Sequence, residues 1–207
     1  MRAWIYDRFL LPYTTAWYRE VLTRLPEGAY LLDVGIGTGG ALLNNAELVR
    51  EKNIRVLGVD IDADYINRAN KAIEKAGMSD LIEAKLQSVY DHEGGPYDGV
   101  YFSASFMLMP DPEACLHHVV SLLSEEGRVY FTQTFQEKES KLMERLKPVL
   151  KTLTTIDFGQ VTYEPDFRST VEGCGVNIAE MKEIDRSGAR SFRIVVADPD
   201  ATENAEA

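Results

Sequence analysis

The chain has 207 residues, 45% hydrophobic and 27% charged, and its 33 Asp and Glu outnumber its 22 Lys and Arg to give a net charge of −11. That size and composition fit one globular domain with its own core, and the acidity argues against a nucleic acid held in a basic groove. Cys115 and Cys174 suit neither a disulfide framework nor a metal site, and no run of about 20 apolar residues marks a membrane span or signal core, so a soluble, cytoplasmic, metal-free protein is expected.

Residues 1–24 read as one or two helices, with Pro12 as the break. Pro26-Glu27-Gly28 is a turn. Residues 29–35 form a first strand, apolar except for Asp33, as in a buried parallel sheet. A helix follows over 39–52, a second strand over 54–60, and a helix over 62–76 that stops at Gly77. Residues 81–86 are a short strand and 90–96 a polar loop. Residues 98–104 are the fourth strand. Asp111 caps the next helix with Pro112 at its first position. Gly127 precedes a fifth strand over 128–134. A charged helix at 137–151 and another helix at 164–173 come next. Two final strands, 177–184 and 191–197, are joined through the turn-like Asp185-Arg186-Ser187-Gly188. Strands alternating with helices predict a parallel sheet covered on both faces, ending in an antiparallel pair.

The most informative stretch is Asp33-Val34-Gly35-Ile36-Gly37-Thr38-Gly39-Gly40 at the end of the first strand. Glycines there let the backbone approach a nucleotide closely, and Asp60, at the end of the second strand, is placed to accept ribose hydroxyls. Gly35, Gly37 and Gly40 also satisfy the dinucleotide spacing G-x-G-x-x-G, so an NAD-dependent oxidoreductase is one reading. Asp33 argues against it. A pyrophosphate at the turn would be repelled by that carboxylate, whereas the ammonium and sulfonium of S-adenosylmethionine would be attracted. No Gly-Lys-Ser/Thr follows the glycines, which excludes a P-loop.

These residues resemble the class I S-adenosylmethionine-dependent methyltransferases. Leu31 to Gly39 is similar to that family's first motif, and Val56 to Ile61 to its second. Pro96 to Phe102 is similar to the fourth-strand motif, and Leu122 to Val129 to the approach to strand five. The resemblance implies an α/β, Rossmann-like three-layer sandwich, with a mostly parallel seven-stranded sheet and a C-terminal antiparallel strand. It implies a helical lid over residues 1–28 and a methyltransferase domain over 29–198; the polar, acidic composition of 199–207 reads as a disordered tail. It also implies S-adenosylmethionine as cofactor, S-adenosylhomocysteine as product, and methyl transfer by in-line displacement. The single acidic domain favours a small-molecule acceptor. A protein acceptor and a non-catalytic cofactor-binding member are the other readings.

The candidate cofactor residues are Asp33 near the ammonium, Gly35, Gly37 and Gly39 at the methionine end, Asp60 on the ribose and Ile61 on the adenine. Gln87, Ser88 and Val89 stand where the family places adenine contacts, although the acidic residue common there is missing. Ser103 ends strand four at the mouth of the sheet, where open α/β sheets bind ligands. Tyr6, Tyr13 and Tyr18 are candidates from the aromatic N-terminal segment, since an aromatic face attracts a sulfonium. Phe106-Met107-Leu108-Met109, in place of the histidine that many relatives carry, reads equally as an apolar acceptor wall or as helix packing. No catalytic base is assigned. His92 reads as solvated, and His117 and His118 as remote from the mouth. Asp62 and Asp64 read as helix-start acids, and Asp98 as an anchor for strand four.

Overall fold

A computed structural model of the chain describes residues 11–137 and 162–199. The elements are α1 (Leu11–Arg24), β1 (Tyr30–Val34), α2 (Gly40–Leu43), α3 (Ala46–Glu51), β2 (Arg55–Asp60), α4 (Ala63–Lys75), β3 (Ile82–Leu86), β4 (Tyr97–Ser103), α5 (Pro112–Val120), β5 (Leu123–Gln136), α6 (Glu164–Gly173), β6 (Val176–Ser187) and β7 (Arg190–Pro199). They build one seven-stranded sheet in the order β3-β2-β1-β4-β5-β7-β6. Strands β1 to β5 pair in parallel, and β7 runs antiparallel to both β5 and β6. The α/β, Rossmann-like sandwich expected from the sequence is therefore present.

Alternation along β1 divides the core. Leu31 joins one apolar cluster with Tyr18, Val21, Leu22 and Leu25 of α1, Ile66, Ala69 and Ile73 of α4, and Tyr101. The spacing of those helical residues gives each helix one apolar stripe. Leu32 and Val34 point the other way, into a cluster with Phe102, Phe131, Leu116, Val119 and Phe167. There Phe102 stacks on Phe131 at 5.4 Å, and Phe106 meets Phe131 edge-on at 4.9 Å.

Several boundaries differ from the sequence expectation. The single helix expected over 39–52 is broken into α2 and α3 at Asn44 and Asn45. The buried Asn45 amide donates to the Thr15 and Ala41 carbonyls, so a side chain satisfies backbone acceptors of α1 and α2 at that break. Pro12 lies within the first described turn of α1. β5 starts earlier than expected, with an irregularity between Tyr97 and Gly99 in its pairing with β4. β7 reaches Pro199, which pairs with Val176, so the first residue of the expected tail belongs to the sheet. The rest of that tail, the charged helix beyond Glu137 and the start of the N-terminal segment lie outside the described residues. Among the described residues, no helix is long and apolar enough to cross a membrane.

Two helix starts follow from local chemistry. Asp62 caps α4, its carboxylate accepting from the Asp64 and Tyr65 N–H groups, and Asp111 caps α5 by accepting from Ala114 N–H. Asp98 does anchor strand four: it accepts from Tyr30 N–H at 2.8 Å and from Ser124 Oγ at 3.2 Å.

Candidate functional site

Because β1, β2 and β4 are parallel, their carboxyl ends emerge on one edge, and β1 sits between its two neighbours there. This is the switch point at which an open α/β sheet forms a ligand crevice. The chain leaves β1 through Gly35, Gly37 and Gly39, whose φ angles are 83°, 58° and 70°. Three left-handed residues in five positions explain the glycines, since a side chain is strained in that conformation. Gly35 and Ile36 donate their N–H groups to Val59 O, which seats the loop on the end of β2. A Cβ on Gly35 would come within 3.0 Å of Ser105 Cβ, and one on Gly58 within 2.3 Å of Ile36. The loop is thus crowded against its neighbours at Gly35 and Gly58.

Asp60 closes the cradle from the next strand. Its Oδ2 accepts from Gly37 N–H at 3.0 Å and its Oδ1 from Asp62 N–H at 2.9 Å. A carboxylate has about four acceptor sites, so capacity for further donors remains. Ile61, just beyond, is 79% exposed, and Leu86, which pairs with Asp60 in the sheet, is 57% exposed.

Asp33 is fully buried on β1. The Tyr18 hydroxyl donates to its Oδ2 at 2.7 Å. Oδ1 has no hydrogen-bond partner among the described residues. Burial pushes its pKa up to about 7; the Tyr18 hydrogen bond opposes this and the Asp60 charge adds to it. A buried carboxylate oxygen with no donor is costly, so a further donor to Oδ1 would stabilise the ionised Asp33.

The structure places the other sequence candidates unevenly. Ser103 is half-buried at the end of β4. Ser88 caps a short 3-10 turn over Val89–Asp91, accepting from Tyr90 N–H. Val89 is buried in the core beneath that turn. The Gln87 side chain turns to Asp91 O and to His92, while its backbone N–H donates to Asp60 O. Tyr18 lies below the loop in the core, in contact with Asp33 rather than at the surface. Tyr13 is 44% exposed and stacks on Phe192 of β7 at 5.9 Å. Tyr6 lies outside the described residues. Over residues 106–109, Phe106 is fully buried, Met107 and Met109 pack partly on the core, and Leu108 is 55% exposed.

His92 corrects the sequence reading. It is 4% exposed, not solvated, with Nδ1 against Gln87 Oε1 and Nε2 against the Tyr97 hydroxyl at 2.7 Å. Two residues went unselected in the sequence. Ser105 is buried and donates to Val34 O at 2.6 Å, pinning the end of β4 to the end of β1. Ala104 adopts φ 54°, a conformation costly for alanine, at the same edge. Their place at the end of strand four is legible in the sequence, but the Ser105 bond and the Ala104 backbone conformation are seen only in the fold. Among the described residues no cluster of His, Cys, Asp and Glu could hold a metal.

A family model described as a methyltransferase domain matches residues 26–164. The tRNA 5-carboxymethoxyuridine methyltransferase of Escherichia coli strain K12 is 31% identical over 105 residues, covering 49% of this chain and 39% of that protein. Malonyl-[acyl-carrier protein] O-methyltransferase 1 of Ilyobacter polytropus is 27% identical over 171 residues, covering 82% of this chain and 55% of that protein. The chain therefore spans about half, or less, of the length of these relatives. In overall shape it is similar to the crystal structure of a putative sarcosine dimethylglycine methyltransferase from Galdieria sulphuraria, with a TM-score of 0.71, 17% identity, and coverage of 90% of this chain and 85% of that one. With its family model matched across the glycine cradle and all five parallel strands, the chain belongs to the methyltransferase-domain family.

Proposed function

We propose that this chain is an S-adenosylmethionine-dependent methyltransferase acting on a small-molecule acceptor. The observation that carries the reading is the buried Asp33, with one oxygen unpartnered, beneath a loop of three left-handed glycines. An anion in that position suits a ligand whose end beside the loop is cationic, and opposes a pyrophosphate. The cradle fits the cofactor on two counts: the Asp33 oxygen requires a donor, and the space above Gly37 is open, with nothing within 4 Å of a Cβ placed there.

In this reading Gly35, Gly37 and Gly39 admit the methionine end and Asp33 receives its amine. Asp60 accepts the ribose hydroxyls, and Ile61 covers the adenine. Ser88 and the backbone at Gln87 border the adenine, and Ser103 faces the mouth. When bound, the cofactor supplies a methyl group on an already activated sulfonium. The chain's part is then to align an acceptor in line and exclude water. Leu108, exposed beyond the end of β4, offers that acceptor an apolar contact. The net charge of −11 supports a small acceptor over a polynucleotide. A tRNA acceptor is the second reading, favoured by the tRNA-modifying relative named above.

Calorimetric titration with S-adenosylmethionine, S-adenosylhomocysteine and NADH tests the cofactor. Binding of the first two alone is expected, and binding of NADH alone overturns the reading. Methylation of tRNA with none of small molecules would replace the acceptor class and leave the cofactor standing.

A further inference from the structure

The Asp33 carboxylate is held from outside the sheet. Its one described hydrogen bond comes from Tyr18, in the middle of α1, fifteen residues away in sequence. Tyr18 is itself fixed by packing: it is 3% exposed and meets Tyr101 of β4 edge-on, with ring centres 4.9 Å apart. Tyr101 in turn shares a 2.8 Å hydrogen bond with Thr132 of β5. An aromatic column therefore runs from α1 through β4 to β5 and ends on the carboxylate beneath the glycine loop. The groups that bear on Asp33 are the Tyr18 hydroxyl from α1 and the Asp60 carboxylate at the end of β2, with Tyr101 its register partner on β4. Asp60 is an anion, so nothing among these groups neutralises Asp33.

We propose that Tyr18 is a positioning residue of the cofactor site: its hydroxyl occupies one oxygen of Asp33 and reserves the other for the amine of the methionine end, so that α1 controls how strongly the amino-acid part of the cofactor is recognised. This rests on the cofactor reading above. The chemistry follows from charge. A carboxyl that titrates near neutrality is partly protonated in the ligand-free protein at pH 7, and an arriving ammonium favours its ionised form. Binding of the amine-bearing ligand therefore expels a fraction of a proton per ligand at pH 7, and affinity climbs as pH rises toward about 7 and then levels. The Tyr18 hydrogen bond favours the ionised form, so its loss raises the pH at which affinity levels off.

Tyr18→Phe removes the hydroxyl and keeps the ring that packs on Tyr101. Affinity for S-adenosylhomocysteine is measured by calorimetry from pH 5.5 to 8.5 in two buffers of different ionisation enthalpy, beside 5′-methylthioadenosine, which lacks the amino-acid end. The variant is expected to bind S-adenosylhomocysteine roughly tenfold more weakly at pH 7. Its plateau should move to higher pH, with 5′-methylthioadenosine affinity unchanged. Asp33→Asn, a near-isosteric control, is expected to abolish both the pH dependence and the proton release. Equal losses for both ligands in Tyr18→Phe, or an unmoved pH profile, would overturn the positioning role and leave the cofactor reading intact. Absence of S-adenosylhomocysteine binding to the wild-type protein at every pH would overturn the cofactor reading and this proposal with it.

Discussion

The Gly37 N–H donates to Asp60 Oδ2 at 3.0 Å, which ties the glycine loop after β1 to the last residue of β2. One carboxylate therefore shapes the cradle from the neighbouring strand, and in the proposed function it also receives the ribose. Asp60→Ala is expected to weaken S-adenosylmethionine binding by about 1–3 kcal/mol, through loss of hydrogen bonds to a charged acceptor. Asp60→Asn keeps one acceptor oxygen and should lose less. Unchanged affinity in the alanine variant, measured by calorimetry, would remove Asp60 from the site.

Two glycines of this region should respond differently to alanine. At Gly58 the new methyl meets the Ile36 side chain at 2.3 Å, and Ile36 is buried between Gly35 and Gly37. Overpacking of this kind costs about 1–3 kcal/mol and should push the loop out of register. At Gly37 there is open space but φ is 58°, so the cost is the backbone penalty alone, about 1–2 kcal/mol. Urea unfolding midpoints should rank Gly58→Ala as the more damaging; the reverse order would contradict the packing of Ile36 against β2.

Asp33 makes the ligand-free protein less stable as pH rises. Its carboxyl is raised from 3.8 to about 7 by burial, so between those values the folded state binds more protons than the unfolded state. The contribution is constant below about pH 4, declines as pH climbs to about 7, and is flat above. A shift of that size corresponds to about 4 kcal/mol. Asp33→Asn should remove this slope and make the ligand-free protein more stable than wild type at pH 8, by about 2–4 kcal/mol once the amide's own unpaired N–H is counted. Thermal unfolding from pH 5 to 8 measures it, and parallel wild-type and variant curves would refute it.

His92 gives an opposing, separable signal. The Gln87 amide donates to Asp91 O, so its oxygen faces His92 and accepts from Nδ1–H, while Nε2 accepts from the Tyr97 O–H. Burial holds the His92 pKa below its ordinary value. The folded state then binds fewer protons, and stability is lost as pH falls through 6.5 and below. Tyr97→Phe takes away the donor to Nε2 and is expected to cost about 1–3 kcal/mol at pH 7. Imidazole nitrogen chemical shifts report the tautomer directly; protonation at Nε2 in the neutral ring would reverse the assignment.

The strand-loop-helix order, the glycine turn and the two acids Asp33 and Asp60 were legible without coordinates. Apolar runs ending in glycine or carboxylate are local signals, and their spacing marks the carboxyl ends of parallel strands. Helix starts at Asp62 and Asp111 were legible for the same reason, because a cap is satisfied within three residues of itself. His92 was misread because the polar residues around it suggest a loop in water. Its partner Tyr97 closes the network only when the chain folds back to begin β4.

The sequence by itself determined the alternation of elements, the residue types that a nucleotide cradle demands and the charge that disfavours a phosphate there. Each is written in residues a few positions apart. The tertiary structure alone decided that Tyr18 reaches Asp33, that Ser105 bonds the Val34 carbonyl and that Gly58 must be bare beneath Ile36. Those contacts join separate elements, and their distances depend on how helices seat on a twisted sheet, which no local pattern encodes.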